Sequence, residues 1–491
     1  MIFSLNKIFR KQALKKVGVK DIILSNLFLL FELLAAFIIL GHSGVYAQSI
    51  NEALSKAYSV NPDIDEQRAK VRVRDEDVPK AMTGMRPKAS VNVYGGPQRT
   101  TIKAPAGIDQ FSSRRYQQDQ YSGHPFTGTF KLDQVIFDGG KTAGSVRQAF
   151  SGVLAARGEL DAAEQEVLLK GATAYMDVFG DTAILRLKKN NVFVLRNQLK
   201  VTQDRYEFGE VSQTDVAQAE AALAKAQSEY AVSSGTLQKS MATYEKIIGS
   251  PPEKLVPVAD LAQRLPSTKQ EAIEIAIVEN PLVKTSLHTV DAAEAGVKVA
   301  EAALMPNLSI GGQVIQSVDS YFGYPNTRQF GGQGLATLNV PIYQGGGEYT
   351  AIRQSKEQVG QARIHADSVR NEIRAKVVES YAQFEAASSA VKFGENAVKA
   401  AERALRGVRD EAFFGQRTTQ DVLNAQQVLL EARVNLVSAQ HDKTIGTYMA
   451  LAAIGRLSAG DLGLDVVPYN PAMHYENVKD KWFGVSTPDG R

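Results

Sequence analysis

Two hydrophobic spacings alternate along the chain. The first is period two. Ala89, Val91 and Val93 fall on one face of an extended segment, with Ser90 and Asn92 on the other. Phe130, Leu132 and Ile136 oppose Thr129, Lys131 and Asp133. Leu308, Ile310 and Val314 oppose Asn307, Ser309 and Gln313, and Ala336, Leu338, Val340 and Ile342 oppose Thr337 and Asn339. Side chains alternate across a strand, so this pattern predicts four strands, each with one apolar and one polar face. The second spacing steps by three and four. Val216, Ala219, Leu223, Ala226 and Tyr230 follow it, and so do Val422, Ala425, Leu429, Ala432 and Leu436. That is a heptad seam. Only scattered glycines interrupt the helical pattern over 141–206, a helix of about 100 Å at ~1.5 Å per residue. Flanking helices over 50–83, 214–248 and 269–303 are each about 50 Å by the same arithmetic. Pro87 and Pro306 end helix and start extended chain.

The pattern occurs twice. Asn61-Pro62 recurs as Asn280-Pro281, and Pro87 and Ser90 as Pro306 and Ser309, all offset by 219 residues. Leu132, Ile136, Phe137, Gly139 and Gly140 recur as Leu338, Ile342, Tyr343, Gly345 and Gly346, offset by 206. Phe208-Gly209, Asp215-Val216 and Ile248-Gly249 recur at that second offset as Phe414-Gly415, Asp421-Val422 and Ile454-Gly455. The first copy therefore carries extra residues in one strand-connecting loop, 95–125. The predicted organisation is a first repeat over 48–249, a linker over 250–267, a second repeat over 268–458 and a tail over 459–491. Each repeat reads helix, strand, strand, long helix, turn, helix.

Alternating strands of about ten residues are the signature of a transmembrane β-barrel, weak for any one strand. A half-buried soluble hairpin has the same alternation. Four strands cannot close a barrel, for which about eight is the usual minimum, so a membrane role requires several chains to pool their strands. Alanines 217, 221, 222 and 224 lie off the heptad seam and allow each helix close neighbours on two sides. A ring of helices around a space needs that arrangement, whereas a solid bundle would need a thicker apolar stripe; an ordinary long coiled coil is the alternative on the helices alone.

The N-terminal segment narrows the choice. Lys7, Arg10, Lys11, Lys15, Lys16 and Lys20 form a basic leader before an apolar run at 27–40 and the small-residue site Val45-Tyr46-Ala47. This order predicts a secretory signal peptide over 1–47, cleaved before Gln48. The stretch 22–40 is also long enough for a retained anchor, against which Asn26, Glu32 and the cleavage-like site count. The remainder is too polar for a bundle of membrane helices, with a mean hydropathy of −0.19 over the chain. A formal net charge of +3 over 491 residues argues against nucleic acid as a partner. The absence of cysteine excludes disulfides, thiolate metal sites, a cysteine nucleophile and N-terminal cysteine lipidation.

Candidate chemistry concentrates at the two helix turns. Gly209 and Gly415 suit the left-handed position that ends a helix. Ser212 and Thr418 suit the next N-cap, and Asp215 and Asp421 stand three residues later, a capping box with aspartate in place of glutamate. Asp421 is one helical turn from Asn424 and beside Arg417. Lys103, Arg114 and Arg115 read as part of a solvated loop; Tyr321, Phe322 and Tyr324 read as an interface girdle or loop anchors; His365 and His441 read as isolated surface residues. No phosphate loop, nucleophile elbow or metal-ligand pair is present, so no enzymatic activity, metal or cofactor is assigned.

Across about 48–482 the chain resembles the TolC family of outer-membrane efflux and secretion channels. The resemblance rests on the duplicated plan, on Phe208-Gly209 with Asp215-Val216 and their copy Phe414-Gly415-x-Arg417 with Asp421-Val422-Leu423, and on the tail motifs Tyr469-Asn470-Pro471, His474-Tyr475 and Lys481-Trp482. It implies a mainly α fold with a four-stranded antiparallel contribution. Three protomers would form a homotrimer with a twelve-stranded barrel in outer-membrane lipid, continued by a twelve-helix tunnel in the periplasm. The linker and tail would form a belt at its waist. It implies a passive exit duct for small molecules or unfolded polypeptides. The partners would be a periplasmic adaptor docking at the tips around Gly209, Gly415, Ser212 and Thr418, and an inner-membrane ABC transporter or proton-driven pump. Asp421 and Asn424 would line the pore constriction, and Arg417 and Asp215 would hold the gate. Ala412 stands where the family commonly has a gating tyrosine, and Asn424 where it has a second aspartate. The competing functional readings are a trimeric coiled-coil surface scaffold or adhesin without a pore and a porin that works without partners.

Overall fold

The computed structural model describes residues 47–105, 116–319, 326–488 and 490. The expected signal peptide, apart from Ala47, lies outside them, as do Arg114, Arg115, Tyr321, Phe322 and Tyr324. Among the described residues no helix is long and apolar enough to cross a membrane.

The chain begins with β1 (Ala47–Gln48), α1 (Ile50–Val60), α2 (Pro62–Asp75) and α3 (Asp77–Met82). The single helix expected over 50–83 is thus three. The first break is at Asn61, whose extended backbone (φ −69°, ψ 124°) is what a residue before proline favours. Its side chain caps α2 by accepting from the Asp63 amide. The second repeat breaks in the same way. There α6 (Lys269–Glu279) ends at Asn280, which caps α7 (Pro281–Glu301) through the Leu282 amide. Each asparagine amide also reaches across the fold: Asn61 donates to the Ile247 carbonyl at 3.0 Å, and Asn280 to the Ala453 carbonyl at 2.9 Å. Both acceptors lie in the last turn of a 36-residue helix, where carbonyls have no intrahelical donor. The repeated Asn-Pro pair therefore latches each short-helix junction to the end of a long helix.

Long helices follow each pair of strands. α4 (Lys141–Glu207) and α8 (Gly347–Phe413) have 67 residues each, and α5 (Gln213–Ile248) and α9 (Thr419–Ile454) have 36 each. In their lower halves these helices lie side by side in the order α5, α4, α9, α8, and higher up α7 packs between α4 and α8. The heptad positions face these contacts: Ala219, Ala226, Val422 and Leu429 are buried, and Leu195, Ala226 and Leu423 form a small core joining α4, α5 and α9.

The main core lies where α1, the middle of α4 and the C-terminal ends of α5 and α9 meet; there Leu54, Leu168, Tyr175, Tyr244, Ile248, Tyr448, Leu451 and Leu457 are almost fully buried. β1 pairs in parallel with β6 (Lys254–Leu255) here. The Tyr175 hydroxyl bonds the Gln48 and Val256 carbonyls at 2.8 Å, and the Tyr244 hydroxyl donates to the Gln48 side chain at 2.8 Å. Segments from the linker and from the tail after Ala459 pack on this core through Leu255, Val258, Leu261, Leu462 and Leu464.

The four expected strands form one antiparallel sheet in the order β2 (Lys88–Gly95), β5 (Phe126–Phe137), β7 (Asn307–Val318), β8 (Arg328–Asn339). The loop expected over 95–125 instead contains a separate hairpin, β3 (Gln98–Pro105) and β4 (Tyr116–Gly123), with Lys103 on β3. Its strands are mainly polar and carry no apolar alternation that would mark them in sequence. Within the four-stranded sheet the cross-strand rows separate cleanly. Val91, Phe130, Val314 and Gly332 form one row, and Ser90, Lys131, Gln313 and Gln333 the next. Two details differ from the alternation expected from sequence. A register shift between Val135 and Phe137 leaves Ile136 out of the ladder and sets Phe137 opposite Leu308. β8 ends at Asn339, so Val340 and Ile342 lie beyond it.

Candidate functional site

The far end of the helical region is formed by two similar turns, α4–α5 and α8–α9. Each starts with a Schellman closure. Gly209 (φ +76°) donates to the Tyr206 carbonyl at 2.9 Å and Glu210 to that of Arg205 at 2.9 Å. Gly415 (φ +79°) donates to Ala412 at 3.1 Å and Gln416 to Glu411 at 2.9 Å. Glycine reaches this left-handed conformation without steric cost. A complete capping box then starts the next helix. The Ser212 amide donates to the Asp215 carboxylate at 2.9 Å, and the Asp215 amide to the Ser212 hydroxyl at 3.3 Å. Thr418 and Asp421 repeat this at 3.0 and 3.2 Å. The expected cap roles of Gly209, Gly415, Ser212, Thr418, Asp215 and Asp421 are therefore all present.

These bonds set the charge. Hydrogen bonds from the Ser212 hydroxyl and amide, with Arg205 adding to them, hold Asp215 below the usual carboxylate range. The Thr418 amide and hydroxyl do the same for Asp421, helped by Arg417. Both are ionised at neutral pH. Arg417 does not bond Asp215 within the chain: its Nε donates to Glu411 at 2.7 Å, which raises the arginine's pKa further. Arg205 makes the matching pair with Glu210 at 3.0 Å in the first turn. Arg417, Asp215 and Ala412 nevertheless line the same open cleft between the two turns, about 1010 Å³ in volume. Asn424 instead accepts from Gln420 at 2.8 Å and lines a separate groove between α4, α5 and α9.

Two further features carry no clear mark in the sequence. Phe208, Phe413 and Phe414 are strongly exposed at the tips, and Phe413 and Phe414 stack edge to face at 5.5 Å. Only their position beyond the heptad seams could have indicated this. His441 is not the isolated surface residue expected, although His365 is exposed. Its Nε2 meets Asp177 of α4 at 2.8 Å and its Nδ1 meets Asp442 at 2.9 Å. The bond to Asp177 raises its pKa against the opposing effect of burial, with Asp442 adding to the rise. Because the folded-state value lies above the unfolded one, this contact stabilises fully below about pH 6.5. The contribution is lost as pH rises through the folded value. The melting-temperature gap between the native protein and His441→Ala is therefore expected to be widest at pH 6 and to narrow by pH 9.

The sequence profile described as "Outer membrane efflux protein" matches residues 53–250 and 272–454. The chain is 36% identical over 466 residues to the outer membrane efflux protein BepC of Brucella suis, covering 94% of this chain and 96% of that protein. It is 24% identical over 433 residues to the outer membrane protein TolC of Vibrio cholerae, covering 86% and 93%. The fold is similar to the crystal structure of the CmeC outer membrane channel of Campylobacter jejuni, with a TM-score of 0.71 at 16% identity over 88% of this chain and 89% of that one. The duplicated helical plan, the four-stranded sheet and these matches together place the chain in the outer membrane efflux protein family of TolC-like channels.

Proposed function

We propose that three copies of this chain form a passive outer-membrane duct. It would conduct small molecules or unfolded polypeptides from an inner-membrane transporter to the exterior. One observation carries the reading: among the described residues the sheet and the helical layer are open on both sides. The edge strands β2 and β8 are exposed along their whole lengths, including Val91, Val93, Phe330 and Leu335. Unpaired, apolar edges of this kind demand partners. The helical order likewise leaves α5 and α8 as open edges. Joining β8 of one copy to β2 of the next, three times, gives a barrel of twelve strands, and the same rotation joins α8 to α5 in a tunnel of twelve helices. The apolar rows would face lipid and the rows through Lys131 and Gln313 the lumen. The equal lengths of the paired long helices support two repeats, 48–249 and 268–458, joined by 250–267 and followed by the tail 459–491. Heat-modifiable trimers in detergent extracts are the expected result, with ion conductance in planar bilayers; extraction by salt alone, without conductance, would overturn the reading. Family membership leaves the pore-less scaffold or adhesin without support.

In this duct Asp421 and Asn424 form the constriction, and Arg417 and Asp215 restrain the gate across protomer boundaries. The tips around Gly209, Gly415, Ser212 and Thr418, with exposed Phe208, Phe413 and Phe414, receive a periplasmic adaptor. That adaptor couples the duct to an ABC transporter or a proton-driven pump. Arg417→Ala and Asp215→Ala are expected to raise single-channel conductance. Glu411→Gln, which frees Arg417 from its own turn, should not raise it. Unchanged conductance in both alanine variants would remove Arg417 and Asp215 from the gate.

A further inference from the structure

The tail carries an apolar loop whose placement the duct reading leaves unexplained. α10 (Pro471–Val478) is held firmly against α2 and α4. His474 Nδ1 bonds the fully buried Asp75 at 3.0 Å, Tyr475 packs against Phe150 at 5.7 Å, and the Arg157 guanidinium lies 5.6 Å from the Tyr475 ring centre. Val478 is completely buried. A few residues later the exposure reverses: Trp482 is 56% exposed, Phe483 85%, and Val485 fully. The loop is built rather than frayed. Lys481 Nζ donates to the Ser486 carbonyl across it, and Gly484 turns it at φ +101°. Large apolar side chains are thus held out in the open by a closed turn.

Its position says what should cover it. Arg86 donates to the Lys481 carbonyl at 2.9 Å and stacks 4.9 Å from the Trp482 ring centre. Arg86 lies two residues before β2. The neighbouring Met85 carbonyl accepts from the side chain of Gln134, which shares a face of β5 with Leu132 and Phe130. The loop therefore sits at the helix-side end of the sheet, next to the row Phe137, Leu308 and Leu338 where the apolar face begins. Tryptophan and phenylalanine beside Arg86 and Lys481 match the edge of a bilayer. There an amphipathic ring lies at headgroup depth and cations meet phosphate. Glu476 and Asp480 are also near, and Glu476 is taken up by Lys479 at 2.5 Å.

We propose that the loop at 481–486 is an interfacial foot. It lays Trp482, Phe483 and Val485 into the phospholipid leaflet facing the periplasm and sets the depth of the barrel in the membrane. The proposal rests on the barrel reading above. Trp482 is the sole tryptophan of the chain and reports on its own surroundings. The test uses the full-length protein in phosphatidylcholine–phosphatidylglycerol vesicles whose acyl chains carry bromine near the headgroup or near the bilayer centre. Trp482 emission is expected to be strongly quenched by the shallow bromines, weakly by the deep ones, and poorly by iodide in the buffer. A second protein, Trp482→Phe with Phe330→Trp, places the reporter on the apolar face of the sheet. If that reporter is quenched by brominated lipid while Trp482 is not, the foot is overturned and the barrel stands, whether Trp482 is open to iodide or covered by a neighbouring copy. If neither is quenched, the barrel reading falls and the foot falls with it.

Discussion

Gly455→Ala is expected to be among the most damaging single substitutions in the chain, costing about 3–5 kcal/mol. Gly455 ends α9 at φ +88°, where an L-residue costs roughly 1–2 kcal/mol. The greater part of the loss is steric. A Cβ there would lie 2.8 Å from Asn280 Cα, 2.9 Å from Asn280 N and 3.0 Å from the Glu279 carbonyl carbon. These are backbone atoms of the α6–α7 junction, so relief requires the junction to move. Moving it breaks the buried Asn280–Ala453 bond and disturbs the bidentate Arg456–Glu279 pair at 2.7 and 2.8 Å. Gly415→Ala isolates the conformational cost. Gly415 has a similar φ of +79° but nothing within 4 Å of the added atom, so it should cost about 1 kcal/mol, confined to the tip. Gly249→Ala should fall between, because its nearest contact is Val60 Cγ1 at 3.3 Å. Denaturant midpoints of the three purified variants rank them; equal losses at Gly455 and Gly415 would refute the steric account.

The second large effect is on selectivity. Three copies of Asp421 in the proposed duct place a ring of carboxylates at a narrow mouth, which favours cations. Asp421→Asn should bring the cation-to-anion permeability ratio down toward about one, and Asp421→Lys should invert it. Asparagine can still accept from the Thr418 amide, so the helix start survives and the change in reversal potential reports charge. Asp215→Asn is the matched control: it should alter conductance with little change in reversal potential. Bonds from Thr418 hold Asp421 below its ordinary value and oppose the upward push of its two neighbours in the ring, so its charge persists through neutral and mildly acidic pH. Cation preference should therefore be flat between pH 5 and 8 and fail only in stronger acid. A reversal potential that shifts between pH 6 and 7 would point to another group.

How much of this was legible in sequence follows the range of each interaction. The helix ends at Gly209, Ser212, Gly415 and Thr418 were readable because a cap is decided by neighbours within about four residues. The seam through Val216, Ala219 and Leu223 was readable because helical periodicity imposes it. The Asn61-Pro62 and Asn280-Pro281 pairs were visible as repeats, but their meaning was not. The hydrogen bonds that make them latches run to Ile247 and Ala453, far along the chain. The same holds for Asp177, the partner that removes His441 from the surface. Glu411 is only six residues from Arg417, but the choice of Glu411 over Asp215 as its partner is set by the geometry of the closed turn, which residue spacing alone does not give. The hairpin of β3 and β4 was hidden because mainly polar strands carry no periodic signal.

Sequence alone determined that the chain is duplicated, that it alternates amphipathic strands with very long helices, and that its turns carry paired aspartates. These properties are local or periodic, and backbone geometry enforces them wherever the residues occur. Tertiary structure alone decided that β5 pairs with β7, bringing strands of the two copies into one sheet, and that among the described residues this sheet and the helical layer remain open at both edges. Edges are a property of what lies beside a strand or helix in space. The period along a chain does not record its neighbours, so only the assembled fold reveals which surfaces still lack one.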